Sequence, residues 1–377
     1  MTSYLHSRYY SSNEQLLSRE LTKLGHEVVV FTTSKRAKWQ TVESEEVENK
    51  IQKIDGFVVR RIFSGPEIGV APLMPSLLLT LMDEEIDIIH VHNFFTAPSF
   101  YCAMAAKTKR VPLIITQHND QLPSHLVRRF LYYFDGLTFG KYALLQAKKI
   151  IALTNDIRFH LLQMGADEHK LEVIPNAVDT RRFSPDRENL LEAKWGISNS
   201  VILYVGRLVE EKAVEDLLFA FSHVVRKIPE AKLVIIGKGP MEGELTRLQR
   251  KLRISHVFFL GAVENSIMPN IYGGADVVVL PSTREPFGNV VIEAMASGKP
   301  VIGSYVGGIK DTIIHGITGY HVQPRDTGQI SSFLLKLFSD PSLREQMGEN
   351  ARKRAVENYN QEFLVKKIEK MYIEQLG

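Results

Sequence analysis

The stretch DVVVLPSTREPFGNVVIEAMASGKPVIGS, residues 276–304, contains the pattern that decides the fold. A β-branched run is followed by a break at Pro286 and Gly288, then by a helical pattern, and then by a second apolar run. Strand, helix and strand in this order are typical of a parallel sheet with crossover helices. The stretch also carries two acids, Glu285 in the loop and Glu293 in the helix that follows.

The same alternation extends along the whole chain in two series of β-branched runs. The first series predicts strands at 27–33, 57–62, 86–93, 112–118, 149–154 and 171–176, and the second at 201–206, 232–237, 257–261, 276–282, 300–304 and 319–322. Two full series predict two Rossmann-like, doubly wound α/β domains that face each other across a cleft, with ligands beyond the carboxyl ends of the strands. We expect an N-terminal domain over 1–178, a C-terminal domain over 179–359, and a last helix, 360–377, that braces the first domain.

The composition is that of a soluble globular protein, with 44% hydrophobic and 24% charged residues among 377. No apolar run approaches the length of a membrane helix, and neither a signal peptide nor a transit peptide opens the chain. The single cysteine, Cys102, excludes an intrachain disulfide and a cysteine metal cluster. These features predict a cytoplasmic protein, because a reducing compartment needs no disulfides.

The charge balance constrains the partners. The net charge is +3, and residues 1–179 carry equal numbers of basic and acidic side chains. Nucleic acid would select a strongly basic face, so we expect no nucleic-acid partner. The basic clusters at 35–38 and 128–129 offer a peripheral contact with an anionic membrane, and their alternative is a solvated surface.

Several predicted strands of the second half end at residues suited to a bound diphosphate. Arg207 and Lys212 follow the strand at 201–206. The guanidinium of arginine offers several N–H donors and the ammonium group of lysine a compact positive charge, and both can hold phosphate oxygens. Gly237 and Gly239 form a small-residue turn that lets backbone approach a ligand. The sequence therefore predicts an anion site at this edge of the sheet.

The helix that starts near Asn289 adds free amides and a favourable dipole for an anion. Within it, Glu293 is placed to accept from the two hydroxyls of a ribose, which leaves Glu285 to face a transferred group. The alternative is a solvated loop acid at Glu285 and a surface helix acid at Glu293.

The ordered motifs VIPNAVD, GRLVEEK, IGKGP and EPFGNVVIEAMASGKPVIGSYVGGIKDTIIHGITGYHVQPRD resemble glycosyltransferase family 4, the retaining enzymes of the GT-B fold. The similarity is specific over about residues 150–355. It implies transfer of a sugar from a nucleotide-diphosphate sugar to an acceptor hydroxyl on a glycan, a lipid-linked sugar or a small molecule, as in polysaccharide or glycolipid biosynthesis.

The resemblance also implies roles for individual residues. Arg207 and Lys212 would bind the diphosphate and offset the charge of the leaving group, Glu293 would hold the ribose, and Glu285 would contact the donor sugar. The family's active-site histidine corresponds to His118, which is otherwise a polar residue at a strand end. The backbone that approaches the sugar and distal phosphate would be that of Phe287, Gly288, Asn289 and Val290.

The resemblance implies neither a cofactor nor a metal. No Asp-x-Asp motif, which commonly bridges a divalent cation to diphosphate in the other large glycosyltransferase fold, occurs in the chain. Arg207, Lys212 and the helix dipole supply the corresponding charge. The resemblance implies same-face attack without a stable protein-bound sugar, so we do not interpret Glu285 as a nucleophile, although its carboxylate is the nearest candidate. The two-carboxylate scheme of hydrolases fits less well, because nothing in the sequence places a general acid beside Glu285.

The chain departs from the family at its start, where the usual Gly-Gly turn after the first strand is replaced by Ser11, Ser12 and Asn13. These serines are suited to cap the following helix. Ala213 also stands where the family has a glycine. The short N-terminus favours an alternative, an inactive GT-B relative that acts as a binding or scaffold subunit.

Two other enzyme classes remain as alternatives. One is a GT-B sugar-nucleotide epimerase or phosphorylase. The position of GRLVEEK before the acid pair favours a glycosyltransferase over these two classes. The other is a dehydrogenase, since Gly237, Gly239 and Gly243 follow a strand with glycine-rich spacing. No acid ends the next predicted strand, so that fingerprint is incomplete.

Overall fold

The computed structural model describes residues 12–33, 51–65, 67–68, 71–119 and 136–377. The basic clusters at 35–38 and 128–129 and Ser11 lie outside these residues. None of the helices within the described ranges is long and apolar enough to span a membrane.

The described chain divides into two compact units. Unit 1 contains the described residues of 12–176 together with Glu362–Gly377, and unit 2 contains Ala177–Gln361. All twelve strands predicted from the sequence are present, with ends that differ from the predicted ones by at most three residues.

Unit 1 contains two sheets among its described residues, together with a short strand pair. The first sheet has the order β1-β3-β2, and the second has the parallel order β6-β7-β8-β9. The strands are β1 (Val29–Thr33), β2 (Ile51–Ile54), β3 (Phe57–Ile62), β4 (Glu67–Ile68), β5 (Ala71–Pro72), β6 (Ile89–His92), β7 (Leu113–Gln117), β8 (Lys149–Ala152) and β9 (Leu171–Val173). The helices are α1 (Asn13–Lys23), α2 (Ser76–Asp83), α3 (Ala97–Lys109), a π-helical turn (Gly136–Gly140), α4 (Lys141–Gln146) and α5 (Asn155–Gln163).

Three strands of unit 1 were missed by the sequence analysis, β2 and the short pair β4 and β5. β2 pairs antiparallel with β3 through a two-residue turn, Asp55-Gly56, in which both residues have positive φ, 48° and 94°. Such a turn matches the twist of a hairpin, and Asp-Gly is its usual sequence. The first half therefore does not form one uniformly parallel sheet over the described residues.

The final helix, α14 (Gln361–Leu376), contributes its residues from Glu362 onward to unit 1. His26 Nε2 lies 2.7 Å from Glu369 Oε1, and Lys367 Nζ lies 2.8 Å from Glu172 Oε1. Tyr372 hydrogen-bonds to His90 Nδ1 on β6. These contacts tie α14 to unit 1 at three places, before β1, on β6 and on β9.

Unit 2 is a single six-stranded parallel sheet with the order β12-β11-β10-β13-β14-β15. Its strands are β10 (Val201–Val205), β11 (Lys232–Ile236), β12 (Val257–Gly261), β13 (Val277–Leu280), β14 (Val301–Ser304) and β15 (Gly319–Val322). Its helices are α6 (Leu190–Trp195), α7 (Val214–Val224), α8 (Glu242–Leu252), α9 (Met268–Gly273), α10 (Asn289–Ala296), α11 (Gly307–Thr312), α12 (Thr327–Ser339) and α13 (Pro341–Asn358).

The order of the strands in unit 2 reverses direction between β10 and β13, which lie side by side. In a doubly wound sheet this reversal opens a crevice beyond the carboxyl ends of the two strands. The strands themselves are buried on both faces: consecutive residues Ile202, Leu203 and Tyr204 are at most 1% exposed. The sheet is therefore a rigid base, and the loops after β10 and β13 can carry a site.

Candidate active site

The loops after β10 and β13 are joined to each other in unit 2. The backbone N–H of Thr283 donates to the carbonyl oxygen of Glu211 over 2.9 Å, and the Thr283 hydroxyl donates to the same oxygen over 3.2 Å. The Tyr204 hydroxyl, at the end of β10, donates to the carbonyl of Arg207 over 2.9 Å. These bonds fix the backbone that presents the predicted cations and the first predicted acid.

Lys212 and Glu285, far apart in sequence, meet at this edge of the sheet. Lys212 Nζ lies 2.5 Å from Glu285 Oε2, and the two side chains are only 13% and 12% exposed. Lys212 ends a 3-10 turn, and the next residue, Ala213, has φ 49° and ψ 42°. This left-handed conformation suits glycine best, which explains why a glycine is expected at that position.

Arg207 lies on the same loop and is more accessible than Lys212. Its guanidinium donates to Glu211 Oε1 over 2.9 Å, and its side chain is 38% exposed. An exposed ion pair of this kind is weak, so the guanidinium can exchange Glu211 for a stronger anion at little cost. Glu211 was not singled out by the sequence analysis.

Gly237 and Gly239 bring the loops after β10 and β11 together. A Cβ atom at Gly237 would lie 1.8 Å from the carbonyl oxygen of Gly206, and one at Gly239 would lie 2.2 Å from that of Leu208. Gly237 also has φ 137°, in the region that favours glycine. Because Gly237 and Gly239 have no side chain, the backbone of the loop after β10 can lie directly against them.

The segment from Glu285 to Gly288 is held by a second pair of glycines, Gly307 and Gly308, which follow β14. The N–H of Gly308 donates to the carbonyl of Glu285 over 3.2 Å, and a Cβ at Gly307 would lie 1.8 Å from that same oxygen. The two adjacent glycines of the motif YVGGI indicate such a close approach of two backbone segments, although the sequence analysis gave the motif no role.

Helix α10 begins at Asn289, directly after Gly288, as the sequence predicted. Gly288 has φ 92° and gives no side-chain cap. The ring of Phe287 is buried and packs edge-on against Tyr359 at 6.3 Å, so it serves as an anchor. The loop and the helix N-terminus, including Val290, thus lie directly after the Lys212–Glu285 pair.

Glu293 lies about one turn into α10 and is partly buried. The Tyr272 hydroxyl donates to Glu293 Oε2 over 2.9 Å. Burial raises the pKa of Glu293 to about 7, against smaller opposing effects of the Tyr272 hydrogen bond and the charge of Arg182. Neither Glu293 nor Glu285 is the fully solvated acid of the alternative interpretation, and Tyr272 and Arg182 were missed.

His118 lies in unit 1, directly after β7. Its Nε2 is 2.7 Å from Nδ1 of His92, the last residue of β6, and 3.7 Å from Oε1 of Glu14 in α1. Its backbone N–H donates to Oδ1 of Asn93 over 3.1 Å. Burial lowers the pKa of His118, while Glu14 acts in the opposite direction. Over the part of the chain that the structure describes, Glu14, His92 and His118 are the group of metal-ligand side chains that lie together, but the two ring nitrogens are hydrogen-bonded to each other, too close for two ligands of one ion.

Ser12 forms the N-cap of α1, which fulfils the capping expected of the serines: its Oγ accepts from the N–H of Gln15 over 3.1 Å. This cap fixes the first turn of α1, in which Glu14 lies.

The two units together have the fold of the GT-B glycosyltransferases. HepE of Anabaena, solved in complex with UDP and glucose, matches with a TM-score of 0.78 and 20% identity over 98% of each chain. The model of Glycosyltransferase Family 4 matches residues 15–182, and that of Glycosyl transferases group 1 matches residues 190–354.

Two curated relatives match along nearly the whole chain. An uncharacterized glycosyltransferase of Methanocaldococcus jannaschii is 30% identical over 94% of this chain and 92% of its own length. The N-acetyl-alpha-D-glucosaminyl L-malate synthase of Bacillus anthracis is 28% identical over 96% of this chain and 92% of its own. The chain belongs to glycosyltransferase family 4 and is a glycosyl-transferring enzyme.

Proposed function

We propose that the protein transfers a sugar from a nucleoside-diphosphate sugar to an acceptor hydroxyl with retention of the anomeric configuration. The observation that carries the proposal is the assembly of Lys212, Glu285 and Arg207 at the β10–β13 reversal, where doubly wound sheets bind nucleotides. Membership of family 4 supports the same chemistry.

The donor is held by unit 2 in this proposal. Arg207 and Lys212 bind the diphosphate, and their charge offsets the negative charge that develops on the leaving group. Glu293 accepts from the ribose hydroxyls in its ionised form, oriented by Tyr272. The backbone of Phe287, Gly288, Asn289 and Val290 approaches the sugar and the distal phosphate, with the amides of α10 directed at the anion.

Glu285 contacts the sugar in this proposal, and His118 keeps in unit 1 the role that the family's active-site histidine implies. The acceptor oxygen bonds to the anomeric carbon, the bond from that carbon to the diphosphate breaks, and the acceptor proton passes to the departing diphosphate. The Glu285 carboxylate accepts a hydrogen bond from Lys212 at 2.5 Å, and the same-face transfer proposed here needs no bond between that carboxylate and the anomeric carbon. Glu285 therefore positions the sugar and stabilises its developing positive charge.

We propose that the transfer needs no metal at the diphosphate, since Arg207, Lys212 and the α10 dipole supply the positive charge there. The acceptor, a sugar or a lipid-linked sugar, is assigned to unit 1, and the membrane contact expected of the basic clusters belongs with that acceptor. Turnover should accordingly be unchanged by EDTA and unchanged by added Mg²⁺.

Two measurements identify the nucleotide of the donor. Titration calorimetry compares the binding of UDP, GDP and ADP, and hydrolysis assays then use the matching nucleotide sugars. Replacing Lys212 by methionine should weaken nucleotide binding by roughly thirtyfold or more, because a charge-assisted hydrogen bond is lost. Replacing Glu285 by glutamine should change nucleotide affinity less than about threefold but reduce turnover by about a hundredfold, since the charge facing the sugar is removed.

Controls separate binding from stability. The double variant Lys212→Met/Glu285→Gln leaves no unpaired buried charge, so it isolates the loss of binding from the cost of an uncompensated carboxylate. Lys251→Met, on an exposed part of α8, removes the same charge elsewhere in unit 2. Nucleotide binding without any turnover or hydrolysis would instead support the scaffold-subunit alternative, and equal kinetics in all variants would show that the site is misplaced.

A further inference from the structure

Two histidines of unit 1 share one hydrogen bond at the carboxyl ends of β6 and β7. Nδ1 of His92 lies 2.7 Å from Nε2 of His118, and the two side chains are only 10% and 17% exposed. His118 is the histidine that the family resemblance assigns to the transfer site, whereas His92 has no role in the transfer described above. The bond between the rings gives His92 direct control over the position of one proton on His118.

A neutral pair of imidazoles that is bonded in this way has two arrangements of its protons. Burial lowers the pKa of both rings, so both are neutral at pH 8. Either both rings carry the proton on Nε2 and His118 donates to His92, or both carry it on Nδ1 and His92 donates to His118.

Two effects favour the first arrangement. The Nε2–H form is the more stable tautomer of a free histidine side chain. In addition, Oε1 of Glu14 lies 3.7 Å from Nε2 of His118 and 4.0 Å from Nδ1 of His92, so the carboxylate attracts the shared proton toward the nearer nitrogen. His118 is therefore the donor of the bond and His92 its acceptor.

The surrounding residues hold the His92 ring in place. The ring of His90 stacks on that of His92 with centroids 4.6 Å apart, and both nitrogens of His90 are engaged by the hydroxyl groups of Tyr372 and Thr116. His90 thus supports the His92 ring from behind and does not compete for its Nδ1. The ends of the two strands are also joined, because the N–H of Asn93 donates to the carbonyl of Thr116 over 2.8 Å.

We propose that His92 is a positioning residue, which fixes His118 in the Nε2–H tautomer so that Nδ1 of His118 presents its lone pair to a hydroxyl group of the substrate. Within the part of the chain that the structure describes, this Nδ1 has no hydrogen-bond partner. In this tautomer His118 accepts a hydrogen bond from a hydroxyl group and cannot donate one from Nδ1. The inference rests on the proposed function, because it concerns the histidine assigned to the transfer site.

The tautomer can be read by NMR of the full-length protein labelled with ¹⁵N-histidine. Proton–nitrogen correlations at pH 8 distinguish a protonated ring nitrogen from one with a lone pair, and the spectrum of His118→Gln assigns the signals among the 12 histidines. The wild type should show a protonated Nε2 in His118. His92→Phe keeps a ring to stack on His90 but offers no acceptor, so His118 should become a mixture of both tautomers. His92→Asn places an amide oxygen near the position of Nδ1 and should restore the Nε2–H form.

Kinetics separate positioning from a purely structural role. His92→Phe should lower the turnover of a nucleotide sugar about tenfold, as expected for the loss of one oriented hydrogen bond. It should leave nucleotide affinity unchanged, since unit 2 holds the nucleotide. His92→Asn should recover most of the turnover. His169→Ala, at an exposed position of unit 1, should match the wild type in turnover and in affinity.

An Nδ1–H tautomer of His118 in the wild type would overturn the inference, and so would an unchanged tautomer or an unchanged turnover in His92→Phe. If His92→Phe does not fold, the wild-type spectrum and His92→Asn still decide the question. A wild type without nucleotide binding and transfer refutes the proposed function, whereas the tautomer of its His118 tests the positioning by His92 separately.

Discussion

Replacing Glu293 by glutamine is expected to change how the stability of unit 2 depends on pH. In the folded protein the carboxyl has a pKa of about 7, raised by burial from 4.5. Between these values the folded chain holds a proton that the unfolded chain has released, so stability falls as the pH rises from about 4.5 to about 7. Because glutamine carries no charge at any pH, the stability of the variant does not fall over this pH range.

The size of the effect follows from the shift. At about 1.4 kcal/mol per pKa unit, the wild type loses up to ~3 kcal/mol over this pH window. The amide of the introduced glutamine must be accommodated beside the Tyr272 hydroxyl at a cost of about 1 kcal/mol, independent of pH. We therefore expect the variant to be more stable than the wild type by about 2 kcal/mol at pH 8 and slightly less stable at pH 5.

Urea unfolding followed by the fluorescence of Trp195 measures this difference. A Trp39→Phe background leaves Trp195, in unit 2, as the single tryptophan. Glu244→Gln, at an exposed position of α8, is the matched control and should follow the wild type at every pH. If Glu293→Gln also parallels the wild type from pH 5 to pH 8, burial does not perturb this carboxyl and the reasoning is refuted.

Four further outcomes are expected. Nucleotide should bind about tenfold more weakly at pH 6 than at pH 8 in calorimetry, because the free Glu293 carboxyl has a pKa of about 7 and its ionised form is the one proposed to bind. Tyr272→Phe should move that dependence to higher pH, since the hydrogen bond it removes lowers the pKa of Glu293; an unchanged midpoint would contradict this. Gly237→Ala should lower the free energy of unfolding by more than ~2 kcal/mol, because its Cβ would lie 1.8 Å from a carbonyl oxygen, whereas Gly243→Ala in α8 should raise it by about 0.5–1 kcal/mol. Cys102, buried and with its pKa raised to about 11, should react with a thiol reagent at pH 8 about a hundredfold more slowly in the native protein than in urea.

The strands and the cations could be predicted because their signals are local. β-branched runs end at small or polar residues, and a parallel sheet brings those ends to one edge. The Asp55-Gly56 hairpin was equally local, and attention to its turn sequence would have found β2.

The contacts that define the site depend instead on residues distant in sequence. Lys212 and Glu285 are separated by 73 positions, and Tyr272 and Glu293 by 21. Their pairing is set by the order of β10, β13 and the helices between them, which no single stretch of sequence contains. The same is true of Gly307, whose restriction comes from the backbone of Glu285.

The assignment of Glu362–Gly377 to unit 1 has a consequence for synthesis on the ribosome. Among the described residues unit 2 runs without a break from Ala177 to Gln361, so all its strands are translated before α14. Unit 1 begins first but needs the partners of His26 and His90 on α14, which are translated after the strands of unit 2. We expect the nascent chain to complete unit 2 before unit 1, the reverse of the order in which the two units begin.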